Sequence, residues 1–369
     1  MKFVCNTTVL SEACQNVQRA VSTKTSIPAV EGILIKALGN EIILTGYDLE
    51  LGINTSISAK TEEGGSIIIN ARVLCDILRR LPDENVSFEC DERYVAIIKS
   101  GEARFEIMGM PANEYPELPS VTGGFPVVLE QGVLKDMVRQ TIFAVAVNDS
   151  KIVHTGIKFE ISEKLIKLIA VDGFRLAIRN EVIDYSGEDL SFVVPAKTLS
   201  EVIKLLDDDS GVVALGVGKR HIVFEIGNYN IISRLLDGEF LNYKTAIPIT
   251  TQTNLKVNVR GFIESIERTS LIITDKIKSP IRCEIDNNSI RSSSITSLGT
   301  AKDKINCEVE GEPVIIGFNN KFLTDALKVC DTDEIKMKLN GPISPILILP
   351  PSGDKFLYLV LPVRLKNEN

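Results

Sequence analysis

Apolar residues along the chain follow one layout in three places about 124 residues apart: an apolar strand, a short polar turn and a stretch of helical period. Ile67-Ile68-Ile69 leads into Leu74, Ile77 and Leu78; Val193-Val194 leads into Leu199, Val202 and Ile203; Val314-Ile315-Ile316 leads into Leu323, Ala326 and Leu327. An earlier helical stretch also recurs, carried by Leu10, Ala13, Cys14 and Val17, then by Leu134, Met137, Val138 and Thr141, then by Phe262, Ile263 and Ile266. Internal periodicity decides architecture before any single motif does, and a period this long means tandem domains rather than a solenoid. The spacing predicts helices over 9–22, 71–81, 133–146, 196–206, 260–273 and 319–329.

Strand signals fill the intervals. Gly32 to Ile35 and Glu41 to Thr45 flank a Leu38-Gly39-Asn40 turn. Ile157 to Ile161 and Leu165 to Ile169 flank Ser162-Glu163-Lys164, and the strand Pro280 to Ile285 runs into Asp286-Asn287-Asn288. Apolar and polar positions alternate in Ile157 to Ile161 and in Pro280 to Ile285, which marks antiparallel sheet with one face on a core. Each third therefore reads as an α+β unit with two helices packed on antiparallel sheets. The boundaries fall at Val121 to Gly124 and Pro248 to Thr253, giving domains 1–123, 124–249 and 250–369.

The length of 369 residues suits about three domains rather than one core. Only Lys2 precedes a mixed polar start without an apolar run, and the apolar stretch from Pro342 to Pro351 is broken by proline and short of a bilayer span. A soluble, cytoplasmic protein is expected. Seven scattered cysteines with no C-x-x-C pair argue for buried, reduced thiols rather than disulfides or zinc. Net charge is −8, divided −6, −3 and +1 among the three thirds, yet the six helical windows together carry +5. An acidic protein with collectively basic helices can offer a polyanion one surface and repel it elsewhere.

Catalytic chemistry is poorly represented. His154 and His221 stand in different strand contexts, with no H-E-x-x-H spacing. Gly211 to Arg220 is glycine-rich but lacks the spacing and the Ser/Thr of a phosphate loop, so it reads as a strand and a β-turn. Asp207-Asp208-Asp209 follows a helix and reads as a solvated loop. No enzyme activity, metal or cofactor is expected. A three-domain hydrolase or nuclease is disfavoured by the missing acid/base constellation, and a secreted scaffold by the start of the chain and the cysteine usage.

Several strings carry a resemblance when taken in order. They are Met1-Lys2-Phe3, Leu44-Thr45-Gly46-Tyr47-Asp48-Leu49-Glu50, Arg79-Arg80-Leu81-Pro82, Met110-Pro111-Ala112-Asn113-Glu114-Tyr115-Pro116, Val171-Asp172-Gly173-Phe174-Arg175-Leu176-Ala177, Leu235-Leu236-Asp237-Gly238-Glu239-Phe240 and Leu359-Val360-Leu361-Pro362-Val363-Arg364-Leu365. Together, over the full length, they resemble the bacterial DNA polymerase III beta subunits, the replicative sliding clamps. The resemblance implies three copies of the DNA-clamp fold per chain and a head-to-tail homodimer closing a ring around double-stranded DNA. Helices would line the hole and sheets the outer wall, tethering the polymerase for processivity without base specificity.

The resemblance also assigns residues. Basic positions facing DNA would be Lys24, Arg72, Arg79 and Lys197; helix placement adds Arg80, Lys135 and Arg139. A partner-peptide pocket would comprise Asp172, Gly173, Arg175, Leu176, Leu359, Val360, Leu361, Pro362, Val363 and Arg364, with Val360 to Val363 ending the last strand as one apolar wall. Its occupants would be short, mostly apolar motifs of the polymerase III alpha subunit, the clamp-loader delta subunit, other polymerases and repair proteins. The dimer joint would set Phe105 against Leu271 and Ile272. Departures cluster at the pocket: Phe174 stands for the usual histidine and His154 for leucine, and the usual F-P-D-Y-R-R-V-I-P stretch reads Phe240-Leu241-Asn242-Tyr243-Lys244-Thr245-Ala246-Ile247-Pro248. The pocket rim, including Leu241 and Ala246, is therefore expected to differ from the usual one.

Overall fold

The computed structural model describes residues 1–22, 25–121, 126–208, 211–274 and 279–365. Six α-helices form within these residues: α1 (Thr7–Val17), α2 (Ala71–Leu78), α3 (Gln131–Ile142), α4 (Ala196–Leu205), α5 (Val259–Ser270) and α6 (Asn320–Lys328). Each overlaps one of the six expected windows, with α1, α3 and α5 starting one or two residues earlier. Ahead of α1, α2, α5 and α6 the polar turn expected between strand and helix shrinks to almost nothing, because one asparagine at or just past the strand's end caps the helix. Asn6 Oδ1 accepts from the Val9 N–H (3.1 Å), Asn70 from Val73 (3.1 Å), Asn258 from Gly261 (2.8 Å) and Asn319 from Lys321 (3.0 Å). Each such cap is worth about 1 kcal/mol against alanine. The helices bury one stripe each, as α2 does through Ala71, Leu74, Cys75 and Leu78.

The chain divides into two compact units, one of Met1–Leu134 with Lys197–Leu235, the other of Lys135–Ala196 with Leu236–Asn369. Within the first unit, an eight-stranded antiparallel sheet runs in the order Val127–Glu130, Val212–Val217, His221–Ile226, Tyr229–Arg234, Leu51–Ser58, Glu41–Tyr47, Gly32–Leu38, Gly65–Asn70. Within the second, a nine-stranded sheet runs Leu190–Pro195, Gly156–Ser162, Leu165–Val171, Arg175–Val182, Phe356–Val360, Ile346–Leu349, Glu334–Leu339, Thr253–Asn258, Glu308–Gly311. Both contain the same seam between distant parts of the chain. Gly52 pairs with Ile232 in one, and Leu176 pairs with Leu359 in the other. The Arg234 N–H donates to the Glu50 carbonyl at 2.9 Å, as the Leu361 N–H does to Phe174 at 2.8 Å. The sequence repeat is thus mirrored in sheet construction, once in each unit.

Each unit holds a second, smaller sheet. In the first unit it ends on the edge strand Ala103–Met108, and in the second on the edge strand Gly299–Asn306. The turn predicted at Asp286-Asn287-Asn288 is a tight hairpin, with Asn287 at φ 43° and Asn288 at φ 55°, which asparagine tolerates better than most residues. Gly211 to Arg220 forms the strand Val212–Val217 and the turn into His221, as expected. The boundary residues Thr122 to Gly124 and part of the acidic run, Asp209, lie outside the described residues. No helix among the described residues is long and apolar enough to cross a membrane.

All seven cysteines are free, as expected, but only Cys5, Cys14, Cys75 and Cys283 are fully buried; Cys90, Cys307 and Cys330 are half-buried. Burial pushes the thiols of Cys5, Cys75, Cys283 and Cys330 up to about 12 and that of Cys307 to about 11. Thiolate is the reactive form, so at pH 8 the native protein should react slowly with Ellman's reagent and all seven thiols rapidly in denaturant. A native burst of several equivalents would contradict this packing.

Candidate functional site

The second unit carries a candidate cleft, assembled outward from one turn. Asp172 Oδ1 accepts the backbone N–H groups of Phe174 and Arg175, both at 3.0 Å, and Gly173 between them takes φ +84°, a conformation that disfavours any side chain. The turn delivers Arg175, whose side chain is only about 10% exposed. Its Nε donates to Asp172 Oδ2 at 2.8 Å and its Nη1 to Asp325 Oδ2 of α6 at 2.6 Å. Its guanidinium lies 4.7 Å from the Phe322 ring centroid and 5.5 Å from that of Phe143. Phe174, 59% exposed, stacks on Phe322 with centroids 5.7 Å apart. One cation thus ties the turn, α6 and two aromatic rings into a rigid edge.

The floor is apolar. Leu176 and Leu359, paired across the seam, pack with Ile169, Val171, Ile178, Tyr243 and Leu347, and Phe240 and Ile247 close over them. Tyr243 Oη donates to Glu160 Oε2 at 2.8 Å, and burial together with that carboxylate pushes the phenol's pKa up. Leu241, Leu361 and Val363 leave apolar surface exposed. His154 adjoins through its ring, perpendicular to Phe240 with centroids 5.5 Å apart. Ala246 and Arg364 are exposed. An apolar floor with a few fixed polar groups suits a short apolar peptide.

One expectation about this cleft needs correction. The last strand ends at Val360, which is fully buried, so Val360 to Val363 do not make one wall. Pro362 has no N–H with which to extend a ladder, and the next residue turns to another partner, the Val363 N–H donating to the Gly317 carbonyl at 2.8 Å. Sequence reasoning also missed Phe143, Phe322 and Asp325, which hold Arg175. Their only signal was position: each lies in or just past a helix whose apolar stripe was already accounted for.

The basic residues divide. Arg72 (88% exposed) and Arg79 flank Asp76 on α2 at 4.0 and 3.5 Å, and Arg80 is exposed beside them. Arg139 is exposed near the end of α3. Lys197 is exposed, but its Nζ donates to Asp48 Oδ2 at 2.7 Å. Lys24 lies outside the described residues. Lys135 contradicts expectation: it is only 8% exposed and cannot face a duplex. On a 3.6-residue period it shares a stripe with the buried Gln131 and Val138, leaving Asp136 and Arg139 outward. Arg260, on the first turn of α5, is a highly exposed cation that the sequence reading passed over; its partner is Glu264 at 2.9 Å. At the candidate joint, Phe105 is half-buried on the edge strand Ala103–Met108, Leu271 is exposed just past α5 and Ile272 is half-buried.

The sequence pattern of the DNA polymerase III beta subunit matches the chain three times in succession: the N-terminal domain over residues 1–119, the central domain over 128–242 and the C-terminal domain over 244–364. The chain belongs to the DNA polymerase III beta subunit family. Its function is accordingly that of a DNA sliding clamp, on three clamp domains of mixed helix and antiparallel sheet. It is 33% identical to the beta sliding clamp of Bacillus subtilis, covering 99% of this chain and all of that one. It is 31% identical to the beta sliding clamp of Staphylococcus epidermidis, with 99% of each covered. The crystal structure of the DNA polymerase sliding clamp from Bacillus subtilis superposes with a TM-score of 0.97 at 32% identity over 99% of this chain and all of that one. The Thermotoga maritima DNA polymerase III beta subunit superposes at 0.91 with 29% identity, again over 99% and 100%.

Proposed function

We propose that two copies of this chain close head to tail into a cytoplasmic ring that encircles duplex DNA, and that the ring tethers replication and repair proteins through the cleft at Arg175 without catalysing a reaction itself. Domains 1–123, 124–249 and 250–369 would each contribute two helices to the DNA side. The observation that carries the reading is the threefold match to the beta subunit domains in their natural order, on a chain whose sheets repeat the same seam. The two smaller sheets each end on a strand with no partner among the described residues, and such edges need a cover. The alpha subunit of the polymerase, the delta subunit of the clamp loader and other polymerases are the intended occupants of the cleft, in turn.

Charge reversal tests the DNA side. Arg72, Asp76 and Arg79 now sum to +1; Arg72→Glu with Arg79→Glu makes that surface −3. Lys197→Glu adds a second reversal opposite Asp48. The triple variant should fold and dimerise but leave nicked circular DNA about tenfold faster than the native ring, equally on any sequence, since phosphate contacts carry no base information. Retention indistinguishable from native across a salt series would remove these helices from the DNA side.

A further inference from the structure

Beside the cleft floor, His154 holds an unused hydrogen-bonding atom. Asp149 Oδ1 accepts the Lys151 backbone N–H at 2.8 Å and the Ser150 hydroxyl at 3.3 Å, and Asp149 Oδ2 lies 2.9 Å from His154 Nδ1. A carboxylate accepts only, so Nδ1 donates to it, and in the neutral ring Nε2 is the atom left with a lone pair to accept. That Nε2 is buried and meets no partner. The ring packs edge to face on Phe240, itself packed on the floor formed by Leu176, Tyr243 and Leu359 and crossed by the Lys158 ammonium 5.6 Å from its centroid. Buried polar atoms are normally paired, and an unpaired acceptor at the lip of a binding cleft calls for a donor. Phe240 is itself only half-buried and precedes the exposed Leu241 in a segment without regular structure.

We propose that His154 is a specificity residue of the cleft: a docking peptide displaces the Phe240 ring and places a hydrogen-bond donor, an N–H or a hydroxyl next to its apolar anchor, on Nε2. The inference rests on the peptide-docking reading of the cleft and adds a selection rule to it. Apolar burial on the floor discriminates poorly between aliphatic anchors, whereas a pre-oriented buried acceptor rejects a ligand that leaves it unmade. The Asp149 contact keeps the ring from rotating, so the acceptor is offered in one direction only.

The chain contains two histidines, which makes the test direct. Protein labelled with ¹⁵N at histidine, with His221→Gln for assignment, is titrated with overlapping twelve-residue peptides covering the polymerase III alpha subunit of the same bacterium. The peptide that binds should move the His154 Nε2 resonance toward the hydrogen-bonded position while Nδ1 stays protonated. His154→Leu should weaken that peptide about tenfold, the size of one unmade buried hydrogen bond, and His154→Gln, which restores an acceptor, should recover most of the loss. A bound peptide with an unmoved Nε2, or native affinity in His154→Leu, overturns the proposal while leaving the cleft intact. Absence of binding by every peptide overturns the docking reading and this inference with it. Should His154→Leu fail to fold, the native titration alone decides.

Discussion

Leu271→Ala with Ile272→Ala is expected to convert the dimer into a folded monomer of 40.5 kDa. Leu271 is 81% exposed in the single chain, immediately after the last turn of α5, and contributes nothing to its own core. An exposed leucine beside a half-buried isoleucine, near a four-stranded sheet whose edge strand Gly299–Asn306 has no partner among the described residues, is what one half of a joint presents. The other half would be Phe105 on the edge strand Ala103–Met108, whose Met108 is also exposed. If both residues are fully packed in the closed ring, truncation removes about 2–5 kcal/mol each from every joint. Because Leu271 is exposed and Ile272 only half-buried within the chain, the melting of isolated subunits should change little. Sedimentation at micromolar concentration reads the result, and a variant that remains a dimer there places the joint elsewhere.

Much of the fold was legible because it is written in periods. The six helices follow from apolar residues at helical spacing, and the hairpins from alternation around Gly39, Glu163 and Asn287. Asparagine at 6, 70, 258 and 319 was a signal left unread; it fixes each helix start to within a residue. Strands Lys60–Glu63 and Glu308–Gly311 were invisible, since KTEE and EVEG have almost no apolar face and are held at sheet edges by backbone pairing and ion pairs such as Lys2–Glu62 (2.7 Å). The two seams could not be read either. Leu51–Ser58 meets Tyr229–Arg234 across most of a domain and more, and no local pattern encodes that pairing. Lys135 misled because a basic residue on an amphipathic helix was assumed to lie on the polar face; α3 is buried over more than half its circumference.

The site was legible only through resemblance. Val171 to Ala177 looks like an ordinary strand entry, and nothing in its composition announces that Asp172 shapes the turn and anchors Arg175 at once. Its counterpart in the first unit makes the point. Asp48 accepts the N–H groups of Glu50 and Leu51 in the same way, at 3.0 and 2.7 Å, but its second oxygen receives Lys197 rather than an arginine from its own turn. Gly52 stands where the cleft has Leu176, and a Cβ there would meet Leu118 at 2.5 Å. The same scaffold is therefore filled by its own leucine in one unit and left with an aromatic, partly exposed edge in the other.

Arg175→Ala should be the most damaging single change in the cleft. The guanidinium satisfies two carboxylates and lies on two aromatic rings, and its removal leaves Asp172, whose side chain is almost as buried as that of Arg175 itself, without a counter-charge. Deleting one partner of a buried pair costs about 3–5 kcal/mol; the more exposed Asp325 and the two backbone N–H groups on Asp172 favour the lower end. Arg175→Lys keeps the charge but cannot hold both carboxylates in the fork geometry or stack as a plane, so it should recover less than half of the loss. The edge formed by Phe174 and Phe322 loses its support, and peptide affinity should fall at least tenfold even where the variant remains folded. A double-mutant cycle with Asp325→Asn separates the contributions. If Arg175 acts by joining the turn to α6, the two changes together should destabilise by clearly less than their sum in denaturant unfolding, because either one alone breaks the same link. Strict additivity would mean that the ion pair is ornamental and that the rings alone hold the cleft open.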